Sequence, residues 1–259
     1  MVSRVLIFSV LVTSAALADF NKIILEQIHT MPAGGGYATT LQAHSALARS
    51  VEVTDSVNIK PELAMPGYCS GATYLVFLKA LQAIQERGTI SLSRETWSAL
   101  VPRLRPDGKD TLPDGQSVWG RWNANGPGTA RLFHELGLGR NFTEFSAARP
   151  GDFMKIFWTD AVGKKENGHS VVFLRLENVA GVESVRFWSS NRPGGLGESS
   201  VPREKIARAI FSRLEHPERI SRWPSLAESD PYLASLLTSE SNFSEAIRMS
   251  GIGSRSDAQ

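Results

Sequence analysis

The 259-residue chain has a single cysteine, Cys69, in the stretch Gly67-Tyr68-Cys69-Ser70-Gly71-Ala72. A thiol attacks as its thiolate, and the free N–H groups and dipole at a helix N-terminus lower its pKa. Cys69 follows Pro66 and Gly67 and opens a run in which Tyr74, Phe77, Leu78, Leu81 and Ile84 fall on one helical face. Gly88 is placed to end that helix. The spacing therefore predicts a thiol at a helix start. Position alone leaves two readings, because free cysteines are also among the most buried small side chains.

A nucleophilic thiol needs a base, normally histidine, held by a third polar group. Of the five histidines, His29 and His44 precede the nucleophile, His134 falls in a short amphipathic helix, and His216 sits in a His-Pro turn. Those four read as surface or packing residues. His169 begins GHSVVFL, a polar residue at the mouth of an apolar strand, where a proton carrier would meet solvent. The next strand, VESVRFWSSN, ends at Asn191. Paired as a hairpin, the two strands bring Ser189, Ser190 and Asn191 out beside His169, where one can accept the imidazole N–H. Asn191 is the preferred candidate and Ser189 the rival. The backbone N–H of Cys69 is placed to bind an oxyanion.

These side chains need a frame. The pattern predicts helices over 20–29, between the triple glycine and about Arg49, over 93–100 and over 129–136. Gly34-Gly35-Gly36 lacks the Gly-Lys-Ser/Thr continuation of a phosphate loop and reads as a flexible connection. Strand chemistry covers 152–158, 169–176 and 184–189, and a further helix is expected over 203–214. The segment 102–128, rich in Gly, Pro, Asp and Asn, reads mostly as loop. It holds Trp119, Trp122 and Asn125, which either line a groove or, for the indoles, anchor the loop to the core. With Tyr68, Ser70 and Ser189 they form the candidate substrate contacts. The last ten residues are expected to lack fixed structure.

The first 18 residues have a basic start at Arg4, an apolar run and Ala16-Leu17-Ala18, the pattern of a cleavable export signal. The run is shorter than the roughly 20 residues of a bilayer span. A periplasmic or secreted chain beginning near Asp19, with no stable membrane span, is the expectation. Beyond the signal (1–18), the reading divides the chain into an N-terminal helical extension (19–59), a catalytic domain (60–220) and a helical or disordered tail (221–259). A net charge of +2 without a clustered basic stripe disfavours nucleic acid. One cysteine cannot form an internal disulfide, so in an oxidising compartment it is either buried or kept for reactivity. No histidine spacing or thiolate cluster suits a metal, and no cofactor is expected.

Three pieces occur in a telling order: Cys69-Ser70-Gly71 opening a helix, Pro150-Gly151-Asp152 entering a strand, and Gly168-His169 starting another. Over roughly residues 60–195 the sequence resembles the NlpC/P60 cell-wall peptidases. The resemblance implies an α+β, papain-like NlpC/P60 fold with a nucleophile helix packed on an antiparallel sheet. It implies hydrolysis of amide bonds in peptidoglycan stem peptides through a thioester, with Cys69, His169 and Asn191 as nucleophile, base and orienting group. Implied partners are peptidoglycan or its stem peptides, and an inhibitor or immunity protein that restrains the activity. Two departures stand out. Tyr68 occupies the position where the family usually has Asp, and Asn191 stands where it often has His, as in the related CHAP amidases. The family's upstream oxyanion tyrosine is not placed, since Tyr68 has the wrong spacing. An acyltransferase on the same fold and a non-catalytic wall-binding protein are the other readings.

Overall fold

Two apolar patterns decide the architecture, the helical run after Cys69 and the pair of long strands after Gly168. The computed structural model describes residues 19–108 and 112–253. The export-signal expectation at 1–18 and the chain from 254 onward lie outside the described residues.

Helix α1 (Phe20–His29) leads into strand β1 (Gly34–Gly35), helix α2 (Leu41–Arg49) and a hairpin of β2 (Val51–Val53) and β3 (Val57–Ile59). The long α3 (Cys69–Glu86) is followed by α4 (Arg94–Leu100), α5 (Ser117–Asn123) and α6 (Gly128–Leu136). Then come β4 (Gly139–Phe142), β5 (Phe153–Phe157), β6 (Val162–Gly163), β7 (Gly168–Val179), β8 (Val182–Asn191), β9 (Gly195–Pro202) and β10 (Arg208–Leu214). Helix α7 (Pro231–Ser235), strand β11 (Glu240–Ser241) and helix α8 (Phe243–Met249) complete the described chain.

Seven strands form one sheet in the order β1-β9-β8-β7-β5-β10-β4, each pair of neighbours antiparallel. With the helices gathered largely in the first half of the chain, the fold is α+β. Helix α3 packs between α1 and strands β7 and β8. That sandwiching explains why Leu75, Val76, Phe77, Leu78, Ala80 and Leu81 are all buried, well beyond one helical face. Residues 19–59 share this body. Phe20, Ile24, Leu47 and Val51 join the same core as α3, and β1 pairs with β9 at the sheet edge.

Pro150-Gly151-Asp152 fastens the first helix to the sheet. Gly151 has φ +94°, and a Cβ there would lie 2.6 Å from the backbone oxygen of Asn21. Only glycine tolerates both the conformation and the approach. Asp152, fully buried, accepts from Asn21 Nδ2 (2.8 Å), the Arg149 N–H (2.7 Å), and Arg213 Nε (2.8 Å) and Nη2 (2.6 Å).

Two expectations need correction, those for 203–214 and for the C-terminal end, and the mostly loop segment 102–128 gains one element. Residues 203–214 form a short 3-10 turn and then β10, not a helix. Strand β10 lies between β5 and β4 and is buried on both faces, so its apolar run shows no alternation and mimics a buried helix. The segment 102–128 contains helix α5, held by burial of Val118, Trp119 and Trp122 despite its Gly-rich flanks. The ten final residues begin inside folded chain, for Ser250 is buried and its hydroxyl donates to the Ala246 carbonyl.

Candidate active site

Cys69 is the first residue of α3, with Tyr68 in extended conformation before it and no side-chain cap on the helix end. The first N–H groups of a helix have no internal partner, so the thiol sits where negative charge is favoured. Ser70 Oγ donates to Asn123 Oδ1 at 2.6 Å, and Thr73 Oγ1 donates to the carbonyls of Cys69 (3.2 Å) and Ser70 (3.1 Å). The first bond ties the opening turn of the helix to α5, and the other two lie within that turn.

His169 enters from the start of β7 and Asn191 from the end of β8. Val172 is paired with Trp188 in this hairpin, and the same register carried three residues outward sets His169 opposite Asn191. Their side chains meet, His169 Nε2 to Asn191 Oδ1, at 3.1 Å. The amide is oriented independently, since Asn191 Nδ2 donates to the carbonyls of Gly197 (2.8 Å) and Ser189 (3.2 Å). Asn191 Oδ1 must therefore accept, His169 Nε2 must carry the proton, and Nδ1 is left to exchange a proton with sulfur. Trp158 stacks on the imidazole at 6.4 Å and Phe187 meets it edge-on at 5.7 Å, which confines the ring.

Half-buried Cys69 is coupled electrostatically to His169. Burial alone raises a thiol, but His169, the Ser170 N–H and the Lys155 ammonium outweigh it. They bring the Cys69 pKa from 9.0 down to about 6. Lys155, in register with Ser170 on β5, is held by Glu166 at 2.6 Å.

Tyr37 was not singled out by sequence. Its hydroxyl lies 4.0 Å from Cys69 Sγ. Burial, followed by the charge and hydrogen bond of Cys69, pushes its pKa up to about 12 against the opposing Arg192, so at neutral pH it remains a donor. The signal for it was the glycine run read as a flexible connection. Gly34, Gly35 and Gly36 all have positive φ, β1 pairs with β9 there, and Tyr37 is bridged to Gly67 just ahead of Cys69.

Cys69 opens into a cleft of about 470 Å³ whose walls include Tyr68, Ser70, Asp114, Asn123, Asn125 and Lys155. No family model, curated protein or solved structure matches this chain. The site therefore rests on its own geometry. Asp114 accepts from the Asn125 N–H (3.3 Å) and from Asn123 Nδ2 (3.5 Å), and burial pushes its carboxyl pKa up. Asn125 Nδ2 donates to the Gly163 carbonyl at 3.4 Å.

Three candidate substrate contacts are displaced by the structure. Trp119 and Trp122, each 1% exposed, pack among Tyr74, Phe77, Phe133 and Phe153, and Trp122 Nε1 donates to Thr73 Oγ1. They anchor α5 to the core, because burial of two indoles outweighs any gain from leaving them in a wet groove. Ser189 is 0% exposed and its hydroxyl donates to the Ser170 carbonyl at 2.7 Å, so it faces neither substrate nor His169. Tyr68 is 4% exposed and packs edge-on to His44 in the cleft wall.

Proposed function

We propose that this chain is an exported cysteine hydrolase of the NlpC/P60 kind, cutting amide bonds in peptidoglycan stem peptides. The observation that carries the reading is one arrangement of side chains. A thiol at a helix start has its pKa brought to about 6, against burial, with His169 the largest lowering influence, and His169 Nε2 meets an independently oriented Asn191 at 3.1 Å. The antiparallel sheet with a nucleophile helix against it is the kind of body a papain-like enzyme needs, which supports the family reading.

The mechanism follows from these parts. The Cys69 thiolate attacks the amide carbon, forming a C–S bond while the carbonyl electrons move to oxygen. The Cys69 N–H and the Tyr37 hydroxyl, both beside the sulfur, are the donors assigned to that oxyanion. As the tetrahedral centre collapses, the C–N bond breaks and imidazolium His169 gives its proton to the leaving amine. Water then attacks the thioester, His169 takes its proton, and the acid departs with thiolate restored. Asn191 holds the ring through both steps without changing charge.

Purified protein and its Cys69→Ala variant incubated with peptidoglycan, with the muropeptides read by mass spectrometry, test this reading. Wild type should release new termini at one amide and the variant none. Equal product from both would remove the cysteine mechanism.

A further inference from the structure

The two reacting side chains open into different spaces. Cys69 lines the larger cleft, whereas His169 lines an adjoining space of about 220 Å³ with Trp158. Tyr37, Asn167, Gly168 and Arg192 border both, so the two spaces meet beside the sulfur–imidazole pair. In acyl transfer through Cys69, the acyl half stays bonded to sulfur and the leaving amine takes its proton from His169. That chemistry orients the substrate, with its acyl half in the larger space and its leaving half in the smaller.

Arg192 stands at the seam. It is exposed, it follows Asn191 directly, and its guanidinium lies 4.8 Å from the centre of the Tyr37 ring. This contact and an N–H directed at the Tyr37 hydroxyl hold the group in place, and the guanidinium's other N–H groups remain for a ligand. Among the described residues no carboxylate forms an ion pair with it. The acids of the larger cleft are engaged elsewhere, Glu166 with Lys155 and Asp114 with Asn123 and Asn125. A held guanidinium with N–H groups to spare beyond the one directed at Tyr37 is matched best by a planar carboxylate.

We propose that Arg192 is a specificity residue that receives a carboxylate carried by the leaving amine, with the Trp158 indole as a further wall of that subsite. The preferred scissile amide is then one whose nitrogen belongs to an amino acid bearing a free carboxylate. This inference rests on the hydrolase reading for its substrate, and its test is built so that the two fail separately.

Iodoacetate and iodoacetamide are nearly equal in size and differ in charge, so the ratio of their alkylation rates at Cys69 reports a cation beside the sulfur. Arg192→Gln should lower the iodoacetate-to-iodoacetamide ratio about fivefold, a screened single-charge effect. Arg192→Lys should restore part of it, and an unchanged ratio in Arg192→Gln overturns the assignment. In the second arm, paired synthetic stem peptides carry a carboxylate or a carboxamide on the residue just beyond the cut. Wild type should favour the carboxylate about tenfold in kcat/KM, and Arg192→Gln should bring the two close to parity. Equal rates in wild type would sink the Arg192 role and leave the hydrolase intact. Cleavage of neither peptide would sink the hydrolase reading, and the alkylation ratio would then decide Arg192's anion binding alone.

Discussion

Two of the polar clusters in this apolar body are built to opposite specifications. Around Asp152, four donors from Asn21, Arg149 and Arg213 converge on one fully buried carboxylate. Around Cys69, the sulfur has a hydroxyl no nearer than 4.0 Å, a single imidazole, and a cleft of about 470 Å³ in front. The first cluster ties the N-terminal helix to the sheet across more than 100 residues of sequence. The second keeps bonding capacity unspent and open to a ligand. A saturated buried charge confers rigidity, whereas an unsaturated one at a cavity is available for chemistry. Two of the three motifs behind the family resemblance thus serve the cleft, and Pro150-Gly151-Asp152 serves the frame.

Exchanging the losses separates the clusters most sharply. Cys69→Ala should lower hydrolysis by about ten-thousandfold or more with little change in urea stability. Asp152→Ala should do the reverse, costing about 3–5 kcal/mol because Arg213 is left as an uncompensated buried charge. Denaturant melts beside a hydrolysis assay check both, and a stable, inactive Asp152→Ala protein would break the comparison.

The next effect is on ionisation. The thiol's pKa of about 6 lies below the ordinary 9.0, so the thiolate persists at neutral pH and is lost as pH falls through about 6. Iodoacetamide alkylation of wild type should show its midpoint there. In His169→Ala the largest lowering influence is gone while burial still raises the thiol, and the midpoint should climb well above that of wild type. An unmoved midpoint would mean that His169 does not set the charge on sulfur.

Tyr37→Phe removes a donor near the oxyanion and should reduce kcat by up to about a hundredfold, with KM changed less. Trp122→Ala tests the division from the other side. As a core indole it should cost about 3–5 kcal/mol of stability. Its effect on KM should be minor, and a large KM change with stability intact would return Trp122 to the substrate groove. Smallest of all, breaking the exposed pair of Arg87 and Glu26 should cost no more than about 1 kcal/mol in a melt.

The legible parts of the molecule were those with local causes. The helical face from Tyr74 to Ile84 marked α3, and hairpin reasoning set Asn191 beside His169 across 22 residues. Asn191 could be preferred to Ser189, but that Ser189 spends its hydroxyl on Ser170 depends on which way one strand end turns. Strand β10 was hidden because burial on both faces erases the alternation by which strands are read. Trp119 and Trp122 were ambiguous because an indole suits a dry core and a ligand groove equally well by type.

Residue order therefore marked most of the local elements and the candidate nucleophile and base, since helix and strand periods act over a few residues and leave a repeating trace. Packing settled the rest. Tyr37 reaches Cys69, Lys155 lends it charge and Arg192 stands at the seam of two cavities because separate segments are folded against one another. No period in the chain records such meetings, because the separation of two side chains in space is set by how whole elements dock, through contacts distributed over the entire core.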